Sequence, residues 1–156
     1  MTIDDIVEFV IGLDGVVVQT PSDGDGSPEL AWGDTFFYYS PDGTIPAVQP
    51  FATIVTKNYP GEEQSRLDRP GAFRVNVAAG RELFAQYIGV APRGGTAETR
   101  EALDDTVIAH PTYGSLGWLA VVNPGPGSAD DVRRLLLHAW EAARGRFERR
   151  GSLPES

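Results

Sequence analysis

The sequence predicts a single-domain α+β fold, an antiparallel sheet of about five strands with helices packed mainly on one face. Three observations predict it. Short β-branched and aromatic runs separated by Pro, Gly and Asp turn signals fill the first half of the chain. Amphipathic helical periods open and close it. Regular alternation of strand and helix is absent, which disfavours a doubly wound sheet. With 156 residues, 41% of them hydrophobic, the chain is long enough for one core and too short for two. Residues 1–150 therefore read as one domain, and 151–156 as a frayed, disordered tail.

Thr2 with Asp5 three residues on reads as a capping pair opening a helix over about 2–12. Ile3, Ile6, Val7, Val10 and Ile11 form its apolar stripe. Asp14-Gly15 turns the chain into a first strand, Val16 to Thr20, closed by an Asp/Gly/Pro-rich loop over 21–28. The second strand is aromatic on both faces, Phe36 and Tyr38 alternating with Phe37 and Tyr39, and stops at Ser40-Pro41-Asp42-Gly43. Phe51 to Thr56 is the third strand. Ala72 to Ala78 is the fourth, with Phe73, Val75 and Val77 on one face and Arg74 and Asn76 on the other. The polar connection 57–71 between them is long for a compact domain, and such connections are often functional or partly helical. Gly80 to Ile88 reads as a short helix and Ala97 to Asp105 as one or two weak helical turns. Leu116 to Val122, apolar on both faces, reads as a strand with something packed on each side or a strand in the sheet centre. Ser128 with Asp131 is expected to cap a long last helix, whose Val132, Leu135, Leu136, Ala139, Trp140, Ala143 and Phe147 keep a 3.6-residue period to about Arg149.

Charge narrows the function classes. The net charge is −9, and it is confined to residues 1–70, where twelve acids face three bases. The remainder is close to neutral and ends in Arg133, Arg134, Arg144, Arg146, Arg149 and Arg150. Nucleic acid is thus disfavoured but not excluded. Zero cysteines remove thiol nucleophiles and thiolate-bound metals. The acidic N-terminus is no signal peptide and no apolar run is long enough for a membrane span, so the expectation is a cytoplasmic protein that uses no membrane.

Few motifs carry chemistry. Asp23, Asp25, Ser27 and Asp34 sit at calcium-loop spacing, but Pro28 stands where the turn needs Gly, and strands flank the loop. A solvated turn explains them better, and no metal or cofactor is expected. No Gly-x-Ser-x-Gly elbow, P-loop or dinucleotide fingerprint occurs. His138 reads as a packing residue at the edge of the helix stripe. His110 opens His-Pro-Thr-Tyr-Gly, a rigid turn before the Trp118 strand, with Tyr113 expected to pack beneath an imidazole bonded to a loop carbonyl. Arg74 and Asn76, with Lys57 and Tyr59 at the end of the preceding strand, could floor a small anion site, or else form salt bridges with the neighbouring acids.

Trp32 to Tyr38, Pro50 to Lys57, Leu67 to Asn76, His110 to Gly114, Gly117-Trp118 and Val122 to Pro124 together resemble an actinobacterial family of uncharacterised proteins. That resemblance covers residues 1 to about 150 and implies no activity. More remotely, the Phe73 to Asn76 strand, the short helix, the Trp-bearing strand and the long last helix are similar to the MmcQ/YjbR group. Its α+β fold is associated with a proposed DNA-binding role, although the basic character of that group is missing here. The resulting expectation is a small binding or accessory protein. Its pocket lies near Lys57, Tyr59, Arg69, Arg74, Asn76, His110 and Tyr113 and takes a small ligand, an anion among the candidates, or a protein partner. The alternatives are DNA binding through the arginines of the last helix, and an enzyme using His110 as acid or base.

Overall fold

The computed structural model describes residues 1–92 and 102–152. Three α-helices, α1 (Ile3–Ile11), α2 (Gly80–Ile88) and α3 (Ala129–Ser152), accompany six strands: β1 (Val16–Gln19), β2 (Thr35–Tyr39), β3 (Ala52–Val55), β4 (Arg74–Ala78), β5 (Val107–Ala109) and β6 (Trp118–Val122). The strands form one sheet in the order β1-β2-β3-β4-β6-β5, every neighbouring pair antiparallel. This is the α+β architecture expected, with one more strand. The additional strand is β5, only three residues long at the sheet edge, and too short to show a period. Part of the expected helical stretch at 97–105 lies outside the described residues. Its last four, 102–105, are not helical: Asp104 bridges to Val122, and Asp105 holds a left-handed backbone with φ 54°. Of the expected tail, Gly151 and Ser152 continue α3, and 153–156 lie outside the described residues. Among the described residues, no helix is long and apolar enough to cross a membrane.

Register divides the sheet into two unlike faces. Val18, Phe37, Ala52, Val77, Leu119 and Ala109 are aligned across all six strands. With their alternate neighbours Ile54, Val75 and Val121 they pack against Ile6 and Val10 of α1, Leu83 and Phe84 of α2, and Val132, Leu135, Leu136 and Trp140 of α3. All three helices therefore cover this face, and each fully buried Leu or Val there contributes roughly 1.5–3 kcal/mol. Among the described residues, no α-helix covers the other face. One part of it is covered by the 57–71 connection, where Leu67 and Ala72 join Val55, Val122 and Ala102 in a second, smaller cluster. The rest is open and carries the polar residues.

Capping follows the sequence at one end and departs from it at the other. Thr2 Oγ1 accepts from the Asp5 amide and the Asp5 carboxylate accepts from the Thr2 amide, the expected reciprocal box. Ser128 and Asp131 have different work. The Ser128 hydroxyl donates to Asp105, whose carboxylate also accepts from the amides of Gly125, Gly127 and Ser128. The Asp131 carboxylate accepts from the Tyr87 hydroxyl and so joins α3 to α2. His138 is exposed on α3 rather than packed at its edge, because Leu135, Leu136, Ala139 and Trp140 already fill the buried stripe.

Candidate functional site

The open face of the sheet holds a cleft of about 240 Å³. Alternation along the strands decides its floor: Phe36 and Tyr38 from β2, Thr53 and Val55 from β3, Arg74 and Asn76 from β4, and Trp118 from β6 all point away from the helices. Its walls come from loops. Gln49 and Pro50 precede β3, Tyr59 and Glu62 belong to the 57–71 connection, and His110 and Tyr113 belong to the turn after β5.

Arg74 is the largest fully buried side chain, 1% exposed. Such a cation is tolerable only when its donors are matched. Nε donates to Asn76 Oδ1 at 2.7 Å, Nη1 to Ser65 Oγ at 2.8 Å, and Nη2 to Glu62 Oε1 at 2.7 Å. Asn76 is thereby oriented, its Nδ2 donating to Thr53 Oγ1 at 3.0 Å. Glu62 is also buried, and its second oxygen accepts from the Thr112 hydroxyl. The salt-bridge alternative for Arg74 thus holds in a buried form, so its charge is already balanced.

His110 is 5% exposed. Burial, and secondarily the Arg74 charge, pull its pKa from 6.5 down to about 3, so the ring is neutral at pH 7. Nδ1 accepts from the amides of Thr112 and Tyr113 at 3.0 and 2.9 Å. The expected bond to a loop carbonyl is therefore reversed: the turn following His110 folds its amides back onto the ring. Because Nδ1 is an acceptor, the proton sits on Nε2. That Nε2–H meets Arg74 Nη2 at 3.3 Å, donor against donor. The His110 ring lies 4.9 Å from Tyr113 and 6.3 Å from Trp118 between centroids.

Five of the expected site residues, Tyr59, Arg74, Asn76, His110 and Tyr113, converge on this cleft. Lys57 and Arg69 do not line it. Lys57 Nζ donates to the Trp32 carbonyl and pairs with Asp34 at 3.3 Å. Asp34 is buried and also accepts from the Thr56 amide and the Tyr59 hydroxyl, so Lys57 belongs to the fastening beneath Tyr59. Arg69 makes a bidentate pair with Asp104 at 2.9 and 3.0 Å, tying the 57–71 connection to the chain before β5. Glu62 was read only as one of the neighbouring acids of the salt-bridge alternative; Ser65 and Thr112 went unread in the sequence, as did Phe36, Tyr38 and Trp118 as cleft residues. Only the last three had a signal, the alternation of aromatics on β2 and the two-faced apolar β6. The calcium-like spacing has no counterpart. Asp25 is used by the Ser22 and Ser27 amides of its own turn, Asp34 is buried elsewhere, and no metal-ligating group of three or more is present among the described residues.

Of the six arginines of α3, Arg133 pairs with Asp130 and Arg144 with Glu148, while Arg134 bonds Tyr87 and Gln86. No curated protein and no solved structure matches the chain. Residues 1–152 match DUF6194, a family of unknown function, and the chain belongs to that family.

Proposed function

We propose that the protein binds a small planar molecule in the cleft on the face opposite the three α-helices, with a carbonyl or similar acceptor of the ligand directed at His110 Nε2 and Arg74 Nη2. One observation carries this reading: with Nδ1 accepting from two amides, the Nε2–H of His110 faces Arg74 Nη2 at 3.3 Å, donor towards donor, and Nε2 has no acceptor among the described residues. A buried donor left unmatched costs roughly 1–3 kcal/mol, which an arriving acceptor returns. The aromatic lining, Phe36 and Trp118 on the floor and Tyr59 and Tyr113 in the walls, suits a flat molecule. Since Glu62 balances Arg74, the deep end of the cleft favours a neutral acceptor over the anion first expected. His110 serves here as a hydrogen-bond donor, because a ring with a pKa of about 3 is a poor base at neutral pH.

Uracil, uridine and benzamide test this by ligand-observed NMR and by titration of the labelled protein. Fragments of this size reach about millimolar Kd. The expected result is saturable binding that shifts the amides of Thr112 and Tyr113, weakens about tenfold in His110→Phe and is lost in Trp118→Ala. Failure of all three to bind at about 10 mM overturns the proposal.

A further inference from the structure

A second hollow, about 400 Å³, lies beside the cleft where the C-terminal half of α3 meets the end of the sheet. Gln49, Pro50 and Trp118 line both hollows, so the two adjoin across the Trp118 indole. The second differs in charge. Arg146 and Arg150, one helical turn apart, both line it, and among the described residues neither has a carboxylate within ion-pair distance. This sets them apart from Arg133 and Arg144, which are paired on the same helix. Like charges at this spacing repel. Burial, with Arg150 and Arg149 close by, lowers the Arg146 pKa. Arg146 and Arg150, exposed on α3, line one hollow of a chain with net charge −9 and lack a carboxylate partner among the described residues; they make a local cationic site, and Leu116, 72% exposed, supplies an apolar rim.

We propose that Arg146 and Arg150 form an anion subsite, which takes a phosphate or carboxylate group borne by the same molecule whose planar acceptor group enters the cleft. The ligand class is then a planar amide or lactam carrying an acidic substituent, with Trp118 between its two ends. Paired forks of this kind suit oxyanions. The identity of the planar end rests on the proposed function of the cleft, whereas the arginine pair can be tested without it.

Uridine, uridine 5′-monophosphate, uridine 5′-diphosphate and inorganic phosphate are titrated into labelled protein. The Nε–Hε signals of Arg146 and Arg150 report the subsite, and the Thr112 and Tyr113 amides report the cleft. At least one of the phosphorylated probes should bind about tenfold more tightly than uridine. Arg146→Gln/Arg150→Gln should abolish that gain and leave uridine unchanged, while the control Arg133→Gln/Arg134→Gln should preserve it. If uridine binds and phosphate adds nothing, or the gain survives in Arg146→Gln/Arg150→Gln, the subsite is overturned and the cleft reading stands. If phosphate shifts only the two arginines and uridine does not bind, the subsite stands and the cleft reading falls. Silence at both reporters overturns both.

Discussion

Nε2 of His110 and Nη2 of Arg74 approach to 3.3 Å with a hydrogen on each, while Nδ1 of the same imidazole is occupied by two amides of its own turn. The ring is held in one tautomer by local backbone and placed against a cation by the sheet. Protonating it would add a second charge beside the first.

That arrangement fixes a pH dependence. The folded pKa of His110 is about 3 and its unfolded value 6.5, so between these limits the unfolded chain binds the extra proton. Stability is full above about pH 6.5 and falls as the pH drops towards 3, with a slope of roughly 1.4 kcal/mol per pH unit. Urea unfolding between pH 7 and 4.5 should show this slope. His110→Asn, whose side-chain oxygen can still accept from Thr112 and Tyr113, should remove it, and a profile unchanged by that substitution would contradict the assignment.

The Arg74–Glu62 pair is predicted to act as a unit. Removing either charge strands the other in a buried site, so Arg74→Met and Glu62→Gln should each cost about 3 kcal/mol or more in chemical denaturation. The double variant should cost less than the two added together, by about 2 kcal/mol. Strict additivity would mean that the two charges are not coupled.

Asp105 holds the start of α3 through three amides and the Ser128 hydroxyl, and these bonds, the hydroxyl foremost, lower its pKa to about 2. Its contribution is present above the ordinary carboxylate range and is lost as the pH falls from about 4 towards 2. Asp105→Ala should lower the melting temperature at pH 7, and Asp105→Asn, which keeps one acceptor oxygen, should lower it less. Equal melting of wild type and Asp105→Ala at pH 7 would count against the carboxylate's role.

Gly117 leads into β6 with φ 86°, and a Cβ there would stand 3.2 Å from the Gly80 backbone. Gly117→Ala should therefore cost more than about 1 kcal/mol, from the left-handed conformation and the contact together. Because Trp118 follows immediately, uridine binding should weaken in parallel. Wild-type stability in the alanine variant would refute the strain argument.

A duplex oligonucleotide is expected to give no retarded band even at about 50 mM salt. Two of the six α3 arginines are engaged by carboxylates of their own helix, and the excess acid elsewhere on the chain opposes phosphate approach. A salt-sensitive shift lost in Arg146→Gln/Arg150→Gln would instead assign those arginines to nucleic acid.

Much of this molecule was legible in local pattern. The Thr2/Asp5 box and the β4 alternation that sends Arg74 and Asn76 to one face are short-range signals that appear as read, and the helical period of α3 holds from Val132 to Ala143, while Phe147 at its end is exposed. The partners of Arg74 were legible only as a class, the neighbouring acids, and their arrangement was not. Glu62 and Ser65 reach it from twelve and nine residues away through an irregular loop, and Thr112 reaches Glu62 across fifty. No periodicity links such positions. Lys57 was grouped with the site by its place at a strand end and Arg69 by the local gathering of basic residues, and the fold places their carboxylates, Asp34 and Asp104, elsewhere. Ser128 and Asp131 had the spacing of a cap, but Asp105 and Tyr87, distant in sequence, took their hydrogen bonds.

Long surface connections ordinarily tolerate insertion and deletion, since their backbone answers to nothing but solvent. The 57–71 connection is different, because the guanidinium on β4 cannot be left without Glu62 and Ser65. Its length and path are set by an electrostatic obligation of the sheet. Shortening it across 62–65 should therefore fail where trimming the Asp/Gly turn at 22–26 succeeds, so the stretch that looks most like a spacer is among the parts least free to vary.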